Sequence, residues 1–81
     1  MPVHLLDTSG LKCPMPVIKL QQAMRQLRAN EQIEIICTDP GALKDIQSWC
    51  KINKHHFISQ RSENERLYLR VQHKDDNPDN T

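Results

Sequence analysis

A two-layer α/β sandwich of order βαβαββ, with a four-stranded mixed sheet and both helices on one face, is the fold the sequence predicts. Three observations carry it. Two apolar stripes recur at helical spacing, short alternating or β-branched runs lie between and after them, and a polar turn, "SENE", closes the last two runs into a hairpin.

The first run, in "VHLLDTSG", is apolar and ends in turn formers, which predicts a strand over about residues 3–7. Val17, Leu20, Met24 and Leu27 then fall at i, i+3, i+7 and i+10, with Lys19, Gln22 and Gln26 opposite, so a one-sided helix is expected from about 14 to 28. Asn30 is placed to stop that helix in the left-handed conformation that Asn tolerates. "QIEIICT" sets Ile33, Ile35 and Cys37 on one face of a mostly buried second strand. In "TDPGALKDIQSWCK", Asp39 is a candidate N-cap and Pro40 a candidate first helical residue. Leu43, Ile46 and Cys50 mark the buried side of a helix from about 40 to 52. "HFISQR" and "RLYLRVQ" are the hairpin strands, the second with Leu67, Leu69 and Val71 on one face. "KDDNPDNT" contains no apolar residue, so the expected organisation is one domain over 1–73 and a disordered tail over 74–81.

Composition narrows the function. Lysine and arginine number 11 against 10 acidic residues, a net charge of +1, and aromatic residues make up 4% of the chain, so neither a basic field nor stacking platforms suggest direct nucleic-acid binding. There is no glycine-rich phosphate loop. No segment approaches the roughly 20 apolar residues that span a bilayer, and the N-terminus lacks a basic stretch followed by an apolar run. A cytoplasmic protein without a membrane partner is the expectation. Cys13, Cys37 and Cys50 form no CxxC pair and read as free thiols, while His55, His56 and His73 add no common ligand spacing, so neither metal nor cofactor is expected. Lys12, Lys19, Arg25, Lys44, Lys51 and Lys54 lie on or near the helices, as a solvated face or as a docking face for acidic partners.

Cys37 and Cys50, on apolar faces, read as packing residues. Cys13 sits differently, in "GLKCPMP". A residue before proline is pushed toward extended geometry, the backbone state of an N-cap, so Cys13 is expected at the start of the first helix. Pro14 and Pro16 shape the loop after Gly10, and they leave Met15 N–H as the donor expected to reach the sulfur. The helix dipole and Lys12 would both favour the thiolate. Without a nearby resolving cysteine, such a group is suited to taking one sulfane sulfur and surrendering it to another thiol.

At these residues the chain resembles the TusA/SirA family of small sulfur carriers. "LDTSGLKCPMPVIKL" matches the family's N-terminal signature through Asp7, Gly10, Leu11, Cys13, Pro14 and Pro16, and "TDPGALKDIQSWC" is similar to the second signature through Asp39, Pro40, Asp45 and Cys50. His55 falls where the family has a histidine opening the third strand. Two positions depart from the pattern: Thr38 replaces an acidic residue and Lys54 a glycine. A monomer is expected, and the resemblance implies a carrier that is not an enzyme in the usual sense. It would hold sulfur as a persulfide on Cys13, received from a cysteine desulfurase or rhodanese-type donor and passed to an acceptor cysteine of the next relay protein. The destination it implies is tRNA wobble-uridine 2-thiolation or, alternatively, dissimilatory sulfur oxidation. Asp7 is expected to cap loop amides and Asp39 the second helix. A regulatory or binding module on the same fold, or a selenium or redox variant, is the competing reading.

Overall fold

The computed structural model describes residues 3–74. Strand β1 (Val3–Thr8) leads to helix α1 (Met15–Met24), β2 (Gln32–Cys37), α2 (Ala42–Asn53), β3 (His56–Glu63) and β4 (Arg66–Gln72). The four strands form one sheet of order β1-β2-β4-β3. β1 runs parallel to β2, and β4 is antiparallel to both β2 and β3, which gives the mixed sheet expected from the sequence.

Register explains the layering. Ile33, Ile35 and Cys37 lie opposite Val71, Leu69 and Leu67, and also opposite His4, Leu6 and Thr8 of β1. Side chains alternate along a strand, so this pairing gathers the apolar set on one face. Leu20, Met24 and Leu27 from the α1 segment and Ala42, Ile46 and Cys50 from α2 close over it to form the core. Burying each large aliphatic side chain contributes roughly 1.5–3 kcal/mol. The opposite face carries mainly polar side chains around a buried Ile36. There Arg70 reaches Glu34 at 3.4 Å, Arg61 stacks 4.1 Å above the Tyr68 ring, and Gln32 donates to Gln72 at 3.0 Å.

Three boundaries differ from the sequence reading. α1 ends at Met24 rather than near 28, and the chain continues through tight turns in which the amides of Arg25, Gln26 and Leu27 donate to carbonyls three residues back. That tightening satisfies the terminal carbonyls and still buries Leu27, so the apolar stripe persists past the regular helix. Asn30 is left-handed, at φ 68°, but it lies in the Arg28–Glu31 turn before β2 and does not cap α1. α2 begins at Ala42, with Pro40 in the turn before it and no side-chain cap. The hairpin turn Asn64–Glu65 has positive φ at both residues, the arrangement whose twist matches the flanking strands. Residues 75–81 of the expected tail lie outside the described residues.

Lys54 closes α2 in the left-handed conformation, at φ 63°, where the resemblance called for glycine. A side chain there costs energy that glycine does not, partly offset by glycine's greater freedom when unfolded. Lys54→Gly should therefore stabilise the fold by roughly 0.5–1 kcal/mol. A rise in the urea midpoint would show it, and a fall would mean that the lysine side chain contributes more than the backbone conformation costs.

Candidate functional site

The loop between β1 and α1 is held at several points. Asp7 Oδ1 accepts the Ser9 amide at 2.9 Å, and the buried Thr8 hydroxyl donates to the Ile36 carbonyl at 2.6 Å. Gly10 turns the chain at φ 82° and its amide donates to Thr38 Oγ1 at 2.8 Å. Thr38 thus anchors the loop. Past Gly10, Met15 N–H donates to Lys12 O at 2.8 Å, so it does not serve the sulfur as the sequence suggested. Pro14, following a cis peptide bond from Cys13, occupies the N-cap position, and Pro16 is buried in the first turn of α1. Cys13 therefore stands one residue ahead of the cap. Lys12 is exposed beside it.

The start of α2 packs against this loop. The Cβ position of Gly41 is 4.0 Å from Cys13 Cβ. Asp39, expected to cap α2, instead accepts the Cys13 amide at 2.9 Å through Oδ2. Asp45, in the first turn of α2, accepts a hydrogen bond from Cys13 Sγ. The sequence marked Asp45 only as part of a motif. Its contact with a sulfur 32 residues away could not be read from local pattern.

These neighbours reverse the expected electrostatics. The hydrogen bond to Asp45 raises the Cys13 thiol above its ordinary range, helped by desolvation and by the charges of Asp45 and Asp39. A thiol whose proton is held by a carboxylate loses that stabilisation on ionising, so the shift runs opposite to the one anticipated from the helix dipole and Lys12. Cys13 is nonetheless exposed, whereas Cys37 and Cys50 are buried. Burial pushes Cys50 up to about 11 and raises Cys37 as well, leaving both poorly suited to nucleophilic chemistry. Among the described residues no group of three His, Cys, Asp or Glu side chains could hold a metal ion.

A second polar cluster lies at the opposite end of the sheet. His55 stacks on Trp49 with ring centres 5.0 Å apart, meets the edge of His73 at 4.8 Å, and accepts the Lys74 amide through Nδ1 at 3.0 Å. Desolvation, with the nearby charges of His73, Lys74 and His56, lowers His55 to about 4. Its ordinary value is 6.5, so the unfolded chain binds a proton between those limits that the folded chain refuses. Stability should therefore fall as pH drops from about 6.5 to about 4. Thermal melts across that window check it: the loss should shrink in His55→Gln, and identical slopes would show that His55 is not responsible.

Comparison with known proteins agrees with the geometry. The family described as Sulfurtransferase TusA matches residues 4–73. The chain is 40% identical over 63 residues to YrkF of Bacillus subtilis strain 168, recorded as a candidate sulfur carrier protein; the match covers 78% of this chain but only 34% of YrkF. It is 35% identical over 68 residues to YrkI of the same organism, recorded in the same terms, and there the match covers 84% of this chain and 91% of YrkI. A SirA-like protein from Desulfitobacterium hafniense has the same fold, with a TM-score of 0.78 at 16% identity over 91% of this chain and all of that one. The family match over 70 consecutive positions, the curated relatives and the shared βαβαββ sandwich lead to one conclusion: this chain belongs to the TusA/SirA family of sulfur carrier proteins.

Proposed function

We propose that the sulfur travels as a persulfide on Cys13. The observation that carries this reading is that Cys13 is the one exposed cysteine among the described residues, standing on a loop tied to the segment between β2 and α2. The Cys13 thiolate attacks the terminal sulfur of a donor persulfide. The donor's S–S bond breaks as the Cys13 S–S bond forms, the donor cysteine leaves as a thiolate, and it takes up a proton equivalent to the one Cys13 released. No oxidant is consumed. Transfer to an acceptor cysteine is the same exchange in reverse roles.

A raised thiol pKa slows this chemistry at low pH without removing it. Fewer molecules are ionised, but each thiolate is the stronger nucleophile, since nucleophilicity rises with basicity in thiol exchange. Donors of the cysteine desulfurase or rhodanese type and a downstream relay protein fit this exchange, with tRNA wobble-uridine 2-thiolation in the cytoplasm as the destination. Asp7, Gly10, Pro14 and Pro16 shape the presenting loop, while Asp39 fixes the cysteine's backbone.

Incubating the chain with a cysteine desulfurase and cysteine tests the reading. One added sulfur that a reductant removes, located by mass spectrometry on the Cys13 peptide, is the expected outcome. No uptake, or uptake at Cys37 or Cys50, would overturn it.

A further inference from the structure

The groups facing Cys13 are unequal. Lys12 adjoins it in the chain, while Asp39 and Asp45 approach from the segment leading into α2 and from α2 itself. Asp39 is engaged with a backbone amide, which is present whatever the sulfur carries. Asp45 is different, because its bond is to the sulfur's own hydrogen. Among the described residues, the ion pairs involve Glu31, Glu34 and Glu63, and no lysine or arginine pairs with Asp45. Its closest polar engagement is therefore with the thiol.

We propose that Asp45 is a latch on the carrier arm: it parks the unloaded Cys13 sulfur against α2 with its proton in place, and it lets go when sulfur is loaded. The proposal rests on the reading of Cys13 as the persulfide carrier. A thiol held in its protonated form is a poor nucleophile toward bystander electrophiles and oxidants, so the empty carrier is kept from side reactions. Loading replaces the hydrogen on Sγ with the second sulfur. The Sγ–H bond to Asp45 then no longer exists, and the carboxylate faces sulfur lone pairs that it repels. Empty and loaded carriers thus differ in how their arms are held, which is information a donor and an acceptor can each use. As a positioning residue, Asp45 acts through the sulfur's proton and contributes no atom to the transferred group.

An acidic residue in the first turn of a helix also complements the helix dipole, and a purely structural Asp45 would do no more than that. The pH dependence of alkylation separates the two roles. Iodoacetamide modification of the Cys13 peptide is followed by mass spectrometry from acid to alkaline pH in the wild type, Asp45→Asn and Asp45→Glu. The latch requires the Asp45→Asn midpoint to lie at lower pH, with alkylation at neutral pH severalfold faster than wild type, and Asp45→Glu to keep more of the wild-type profile. Superimposable wild-type and Asp45→Asn profiles, with both chains folded by circular dichroism, would overturn it.

Should Asp45→Asn not fold, the wild type decides alone. Its folded midpoint must lie above that of the same chain unfolded in urea, and an equal or lower value would remove the latch. Sulfur loading of the wild type is measured in parallel. A shifted profile without loading would retain the restraint on Cys13 and remove the carrier reading; loading with superimposable profiles would do the reverse.

Discussion

Cys13→Ser takes up no sulfur from a desulfurase and cysteine, yet folds and melts like the wild type: this is the result expected from the site. Serine is nearly isosteric, keeps the backbone amide that Asp39 holds, and offers a hydroxyl that can donate to Asp45 in place of the thiol. What it lacks is an ionisable sulfur able to form an S–S bond. Because the side chain is exposed, the change in stability should stay within about 0.5 kcal/mol. Mass spectrometry reads the loss of uptake, and a thermal melt confirms that it does not arise from misfolding. Reductant-labile sulfur still arriving in Cys13→Ser would assign the cargo to another group.

The largest stability effect is expected at Leu20. It is fully buried, at 0% exposure, in the middle of α1, and it joins that helix to the sheet through the shared core. Leu20→Ala removes buried methyl groups and leaves a cavity, which costs about 2–5 kcal/mol. Small domains hold only about 5–15 kcal/mol in total. Since each kcal/mol moves the melting temperature of a domain this size by about 4–8 °C, the variant should melt more than about 8 °C lower. A urea titration with unchanged slope and a reduced midpoint would confirm the loss; a change below about 1 kcal/mol would mean that the core can close over the gap. Loading should weaken together with stability, because α1 fixes the proline end of the Cys13 loop.

Periodicity made most of the fold legible. Val17, Leu20 and Met24 on α1, and Ile33, Ile35 and Cys37 on β2, repeat at the spacings of their elements, and all of them are buried except the half-buried Val17, while Ile36 is buried outside the repeat. Boundaries were less visible because local pattern does not specify how a helix finishes: Leu27 remains on the apolar stripe although its backbone has left the regular helix. The loop around Cys13 was legible through glycine and proline, which act on their own neighbours. The thiol's electrostatics were not. They depend on Asp39 and Asp45, whose carboxylates come close only once α2 packs on the loop. The same limit hid Thr38, a departure from the family pattern that proves to hold Gly10.

The bonds that tie down the cysteine loop cross long stretches of chain: 28 residues from Gly10 to Thr38, 26 from Cys13 to Asp39 and 32 from Cys13 to Asp45. Synthesis proceeds from the N-terminus, so Cys13 leaves the ribosome before any of those partners has emerged. The newborn polypeptide consequently passes through an interval in which the Cys13 thiol is unchaperoned by its own fold. Damage by peroxide during translation should for that reason concentrate on nascent chains, with the finished protein comparatively spared.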